Sequence, residues 1–199
     1  MRVEIDRGQL ANVQIMLGSV KNGAPRVISR SINKTLTGTR SAAKKEIVKH
    51  YNLTQKKVDE NLTVYKSSFQ NLTGKLESKG KPLSLTSFKG TRQTAKGVSV
   101  LIKVGSKRGV IKHAFIKLAN RSQQAFWRKH KPDVRKPYLK NFPYARLPRK
   151  YRYPVQRLTG PRVEDEFSKP RTLNAVQDYA DKRFSVVVDQ ELNYELSKL

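Results

Sequence analysis

Pro25-Arg-Val-Ile-Ser-Arg-Ser-Ile-Asn-Lys-Thr-Leu36 decides how the chain is read. Pro25 suits the first turn of a helix, and Ile28, Ile32 and Leu36 recur on one helical face, continued by Thr39, Ala43 and Ile47. Arg26, Arg30, Lys34, Lys44 and Lys45 fall largely on other faces, so the pattern predicts an amphipathic helix ending near Tyr51. Before it, residues 2–6 alternate as a short strand would. Leu10, Val13, Met16, Leu17 and Val20 then predict a helix near 8–20, broken at Asn22-Gly23. After it, Thr54 can cap a short third helix on which Leu53 staples to Val58, with Leu62 and Tyr65 following.

From Gly74 the period changes to two. Leu83 and Leu85, then Val98, Val100, Ile102 and Val104, alternate with other residues as strands do. Gly105-Ser-Lys-Arg-Gly109 is a turn candidate, and Val110 to Leu118 is the expected hairpin partner, with Phe115 facing inward. Residues 119–153 carry four X-Pro punctuations and no sustained period, which predicts a long irregular excursion. Tyr153 to Leu158 reads as a last strand, and Leu173 to Leu199 as a terminal helix with acids on its outer face. The expected architecture is α+β, in which N-terminal helices pack on a small antiparallel sheet, followed by a long basic loop or arm and a C-terminal helix. It is expected as a single domain, with a body over 1–120, an arm over 121–153, and a final strand and helix over 154–199.

The charge is very unevenly spread. The 199 residues hold 42 Lys plus Arg against 15 Asp plus Glu, a formal net charge of +27. Between Lys66 and Arg157 only Glu77 and Asp133 oppose the basic residues, whereas residues 158–199 are slightly acidic. Cations without local carboxylates must face solvent or a polyanion, and nucleic acid is the default polyanion. A dispersed positive surface that only keeps the protein soluble is the plainer alternative. With 37% hydrophobic residues the chain can bury a core, and with no cysteine it has no disulfide and no thiolate metal site. No run approaches the roughly 20 apolar residues of a membrane span, and no leader is recognisable near Met1, so a soluble, untargeted protein without membrane partners is expected.

Catalytic and metal chemistry find little support. His50, His113 and His130 show no ligand spacing. Carboxylates are scarcest where cations concentrate, which argues against a two-metal nuclease. Gly74 to Lys81 fails as a phosphate loop because its glycines are one residue too far apart and Pro82 stands where a metal-binding hydroxyl belongs. Glu164, Asp165 and Glu166 could bind a cation, but contiguous carboxylates seldom converge on one point, and the cluster reads rather as a solvated turn or as interface acids. No catalytic residue, metal ligand or cofactor is therefore expected.

The stretch from Gln124 to Arg152 interleaves rings with cations. Its basic members are Arg128, Lys129, Lys131, Arg135, Lys136, Lys140, Arg146, Arg149, Lys150 and Arg152, and its aromatic members Phe126, Trp127, Tyr138, Phe142 and Tyr144. Such an arm can lay cations along phosphates while rings stack on bases or anchor to a neighbouring subunit. On duplex DNA the bases are not accessible to rings, which assigns the rings to protein contacts. The same aromatics could instead pack on the domain's own core.

The ordered motifs resemble the minor tail protein Z family, the tail completion proteins of long-tailed bacteriophages. The resemblance spans most of residues 20–165. It rests on Pro25 to Leu36 with its Ile32-Asn33-Lys34-Thr35 centre and on Lys44-Lys-Glu-Ile-Val-Lys-His-Tyr-Asn-Leu53. It continues through Gly80-Lys-Pro-Leu83 with Phe88, Lys96-Gly-Val-Ser-Val100, Ile111-Lys-His-Ala-Phe-Ile116, Ala125-Phe126 with Arg128, and Pro154-Val-Gln-Arg-Leu-Thr-Gly-Pro161. It implies a non-enzymatic structural protein of the virion, made in the host cytoplasm and placed at the head-proximal end of the tail, in the neck. The implied partners are other copies in a hexameric ring, a tail terminator or tail tube protein, head-completion or portal-side proteins, and genomic double-stranded DNA through sequence-independent contacts. A ribosomal or nucleoid type of nucleic-acid-binding protein is the alternative that the charge alone equally allows.

Overall fold

The computed structural model describes residues 23–119, 122–128 and 155–198, and among these α1 (Gly23–His50) is the longest element. The strand expected over 2–6 and the helix expected over 8–20 lie outside the described residues. The α+β class holds. The chain forms two compact units: residues 1–81 with 162–199, and residues 82–161.

The first unit is built on α1. Val27, Ile28, Ile32, Leu36, Ala43 and Ile47 are buried along it, as the apolar spacing requires. The chain then enters α2 (Gln55–Asp59), capped by Thr54 Oγ1, which accepts from Lys57 N at 3.3 Å; Leu53 and Val58 are both fully buried. Leu62 and Tyr65 do not extend this helix. They begin and end β1 (Leu62–Tyr65), which pairs antiparallel with β2 (Lys75–Ser78). The run Leu-Thr-Val-Tyr puts β-branched and aromatic side chains on a pleat, and the strand buries Leu62 beside α1. The connecting loop hangs on α1 through Asn33, whose amide donates to Ser67 O at 3.0 Å and accepts from Ser67 N at 2.8 Å. Gly74 ends that loop against Ile32 and Leu36, where a Cβ would collide with both side chains.

After the second unit, α3 (Val163–Phe167) and α4 (Pro170–Leu196) complete the first. The terminal helix thus starts at Pro170, earlier than the periodicity suggested, because Pro suits its first turn. Arg26 and Arg30 meet Glu195 while Lys34 meets Glu191, a spacing that makes α1 and α4 antiparallel. Val176, Ala180, Phe184, Val187 and Val188 supply the apolar seam of α4. At Gly38 the Arg183 side chain lies across α1, and a Cβ there would have to displace it.

The second unit closes on itself at its stem: Gly160 N donates to Leu83 O at 2.7 Å, and Ser84 bridges Thr159. Leu83 and Leu85 are buried but not in a strand; Leu85–Ser87 is a single 3₁₀ turn. One sheet has the order β3 (Arg92–Thr94), β4 (Gly97–Val100), β5 (Gly109–Lys112). β4 ends at Val100, because Ser106 N turns back to Lys103 O and Gly105 takes φ +80°; Val104 is correspondingly exposed. The expected partner strand over 110–118 is split. His113, at φ +60°, turns the chain, and β6 (Ala114–Ala119) joins a different sheet in the order β6, β7 (Ser122–Arg128), β8 (Val155–Arg157). The irregular excursion therefore does not start at 119. Ser122 to Arg128 alternate two-sidedly as a central strand between β6 and β8.

Candidate nucleic-acid interface

The second unit holds 20 of the 42 basic residues and, in Asp133, one of the 15 acids. Among its described residues there is no carboxylate. Nine cations with described side chains, Lys89, Arg92, Lys96, Lys103, Lys107, Arg108, Lys112, Lys117 and Arg157, are all exposed. Their placement follows from the strands. Register puts Arg92 with Ser99, and Lys112 with Gly97, on the sheet face opposite the buried Val98 and Val100. Lys103, Lys107 and Arg108 occupy the β4–β5 connection, where Arg108 is held to Gly90 O at 2.6 Å.

The second sheet adds rings. Its rows are Phe115–Phe126–Arg157 and, two residues along, Lys117–Gln124. The Phe115 and Phe126 rings stack with centroids 5.9 Å apart and planes 28° apart, both partly exposed. The other face carries Ala114 and Ala125, which are buried.

The carboxylates of the first unit are differently employed. Glu46, Asp59, Glu60, Glu77, Glu166, Glu191 and Glu195 all take part in ion pairs with cations of that unit. Glu166, fully buried in α3, receives Lys169 and Arg171, the latter at 2.5 Å. Burial works against its charge, yet these two hydrogen bonds outweigh burial and hold the carboxyl below the usual glutamate value. Glu195 behaves likewise: burial is opposed by Arg26, Lys198 and Arg30, and its carboxyl is also lowered. The Tyr51 hydroxyl goes the other way, raised by burial and then by Glu166 and Asp165.

Of the residues singled out in the sequence, Arg128 ends β7, Phe126 sits in the stacked pair, and Trp127 stands on the other face of β7, in register with Ala114. Lys129, Lys131, Arg135, Lys136, Tyr138, Lys140, Phe142, Tyr144, Arg146, Arg149, Lys150 and Arg152 lie outside the described residues. Of the three acids, Glu164 and the exposed Asp165 are in the first turn of α3, where Asp165 accepts from Arg162 N at 2.9 Å, and Glu166 is buried and paired within its own unit. Apart from Arg128, the described cations of the two sheets are not among the residues singled out in the sequence, although the scarcity of acids between 66 and 157 is their signal. Among the described residues no three His, Cys, Asp or Glu side chains converge in a way that would hold a metal ion, and no described helix is long and apolar enough to cross a membrane. No family model, no curated protein and no solved structure matches the chain.

Proposed function

We propose that the chain is a non-catalytic structural protein of a tailed-phage virion. It acts as a tail completion protein at the head-proximal end of the tail, in a ring that joins tail to head around the DNA conduit. The observation that carries this reading is the division of charge. In the first unit Glu46, Asp59, Glu60, Glu77, Glu166, Glu191 and Glu195 are paired with cations of that unit, whereas the second presents exposed cations with no carboxylate among its described residues. A surface of that kind binds phosphates without reading bases, as a conduit for any genome sequence requires. The ordered motifs from Pro25 to Pro161 support the phage assignment, and ring closure follows from the symmetry expected of such a joint.

The test is quantitative mass spectrometry of purified particles from the source, with electron cryomicroscopy of the neck. A few copies per particle located at the head-tail joint are expected. Absence from particles, with the chain found instead on ribosomes or bulk cellular DNA, overturns the proposal in favour of a cellular nucleic-acid-binding protein.

A further inference from the structure

The β6–β7–β8 sheet has one face filled by the buried Ala114 and Ala125 and another that carries the Phe115–Phe126 stack. Two large rings left partly exposed, side by side, on an antiparallel sheet are poorly used as core. Water wets part of each ring, although the chain has a fully buried site for an aromatic side chain at Phe88 in the same unit. Around the rings the register sets cations. Arg157 is the β8 partner of Phe126, and Lys117 follows Phe115 on the same face of β6. Both are exposed, and no described residue of the unit carries a carboxylate to neutralise them.

We infer that this face is a binding site for single-stranded nucleic acid, with bases stacked on Phe115 and Phe126 and phosphates against Lys117 and Arg157. Charge complementarity selects a polyanion. The rings then select its form, because a duplex buries the faces of its bases in its own stack whereas a single strand offers them to an aromatic platform. The inference shares with the proposed function the reading that the second unit meets nucleic acid, but it does not depend on ring assembly or on a virion.

Full-length protein is titrated into a labelled oligothymidylate of about a dozen nucleotides, within the span that single-strand sites usually cover, and into a duplex of equal length at the same salt. Phe115→Leu and Phe126→Leu keep apolar volume but remove the stacking surface, and each is expected to weaken single-strand binding about tenfold while leaving duplex binding within twofold. Lys117→Gln and Arg157→Gln are expected to weaken single-strand binding and to reduce its salt dependence by roughly one ion each. Folded leucine variants that bind the single strand as tightly as the parent overturn the inference. So does a parent that binds duplex only, an outcome that leaves the charge reading of the proposed function standing; a parent that binds neither sinks both. Photocrosslinking of the parent to a bromodeoxyuridine oligonucleotide gives a readout that needs no variant. Adducts at Phe115 or Phe126 are expected, and adducts confined to other residues overturn the site.

Discussion

Arg26 at the start of α1 and Glu195 at the end of α4, 169 residues apart in the chain, meet at 3.1 Å. Arg30 takes the other carboxylate oxygen at 3.3 Å, so one buried glutamate ties two successive turns of α1. Replacing Glu195 by Gln keeps the shape and removes the charge, which leaves two guanidinium groups facing a neutral amide. A lower urea midpoint of the helical circular dichroism is expected for Glu195→Gln, with an unchanged slope. Removing the arginines as well, in Arg26→Gln/Arg30→Gln/Glu195→Gln, should recover part of the loss, because the effect belongs to the contact.

Acid should loosen the first unit. Glu166, Glu195 and Asp59 have carboxyls lowered in the folded protein from ordinary values of 4.5, 4.5 and 3.8. A depressed folded value contributes stability that is present above the unfolded value and lost as pH falls through the folded one. The urea midpoint is therefore expected to hold from neutral pH to about pH 5 and to drop below about pH 4.5, the ordinary glutamate value. The drop should be smaller in Glu166→Gln, which has already lost that contribution at neutral pH.

Asn33 spends both ends of its amide on the backbone of Ser67. Asn33→Asp keeps the acceptor and loses the donor; Asn33→Ala loses both. Exchange of either residue is expected to destabilise the first unit, by roughly 1–3 kcal/mol for alanine, the usual range when a buried backbone group is left unpaired. Faster hydrogen exchange at Ser67 N is the local readout in Asn33→Ala, where that amide has lost its acceptor, and is not expected in Asn33→Asp, which keeps it.

The two units should unfold separately. All the α-helices described lie in the first unit, and Trp127, the only tryptophan, lies in the second. Helical circular dichroism and tryptophan fluorescence therefore report different units. The second unit buries a small apolar set, Leu83, Leu85, Phe88, Val98, Val100, Ala114 and Ala125, beneath cations that repel one another. Its fluorescence transition is expected at lower urea than the helical one, and added salt should raise it more, because salt screens exposed like charges. Coincident transitions with equal salt response would contradict this.

Charge position, and not charge number, should govern duplex binding. Lys103→Gln and Lys107→Gln, in the exposed β4–β5 connection, are each expected to weaken binding and to lower the salt slope by about one ion. Arg30→Gln removes the same formal charge from a cation already bound to Glu195, and binding should hardly change. Equal losses at the three positions would mean that only net charge matters.

Local order was legible wherever one face of an element had to be buried. Ile28, Ile32, Leu36 and Ile47 recur at helical spacing and lie inside α1; Thr54 caps α2 as its hydroxyl permits; Val98 and Val100 point inward from β4. Leu62 and Tyr65, expected to follow Val58 on the helix, lie in a strand: four residues cannot show a period, and the β-branched and aromatic character of Leu62–Tyr65 is satisfied only once β2 pairs beside it. The strand at Ser122–Arg128 was hidden for a related reason: its polar and aromatic residues become a central strand only when β6 and β8 supply partners on both sides.

The sequence by itself determined the long helices α1 and α4, the return of the chain after Gly105–Gly109 to pair with β4, and the one-signed charge of the middle of the chain. Each follows from spacing or composition within a few tens of residues. Tertiary structure alone decided which charges remain available. Glu166, Glu191 and Glu195 look like a free acidic face until Lys169, Arg171, Lys34 and Arg26 are brought against them. Nor does spacing along the chain set Phe115 against Phe126; strand register does. Ion pairs and cross-strand rows join residues distant in sequence, and their partners exist only after the backbone has chosen its pairing.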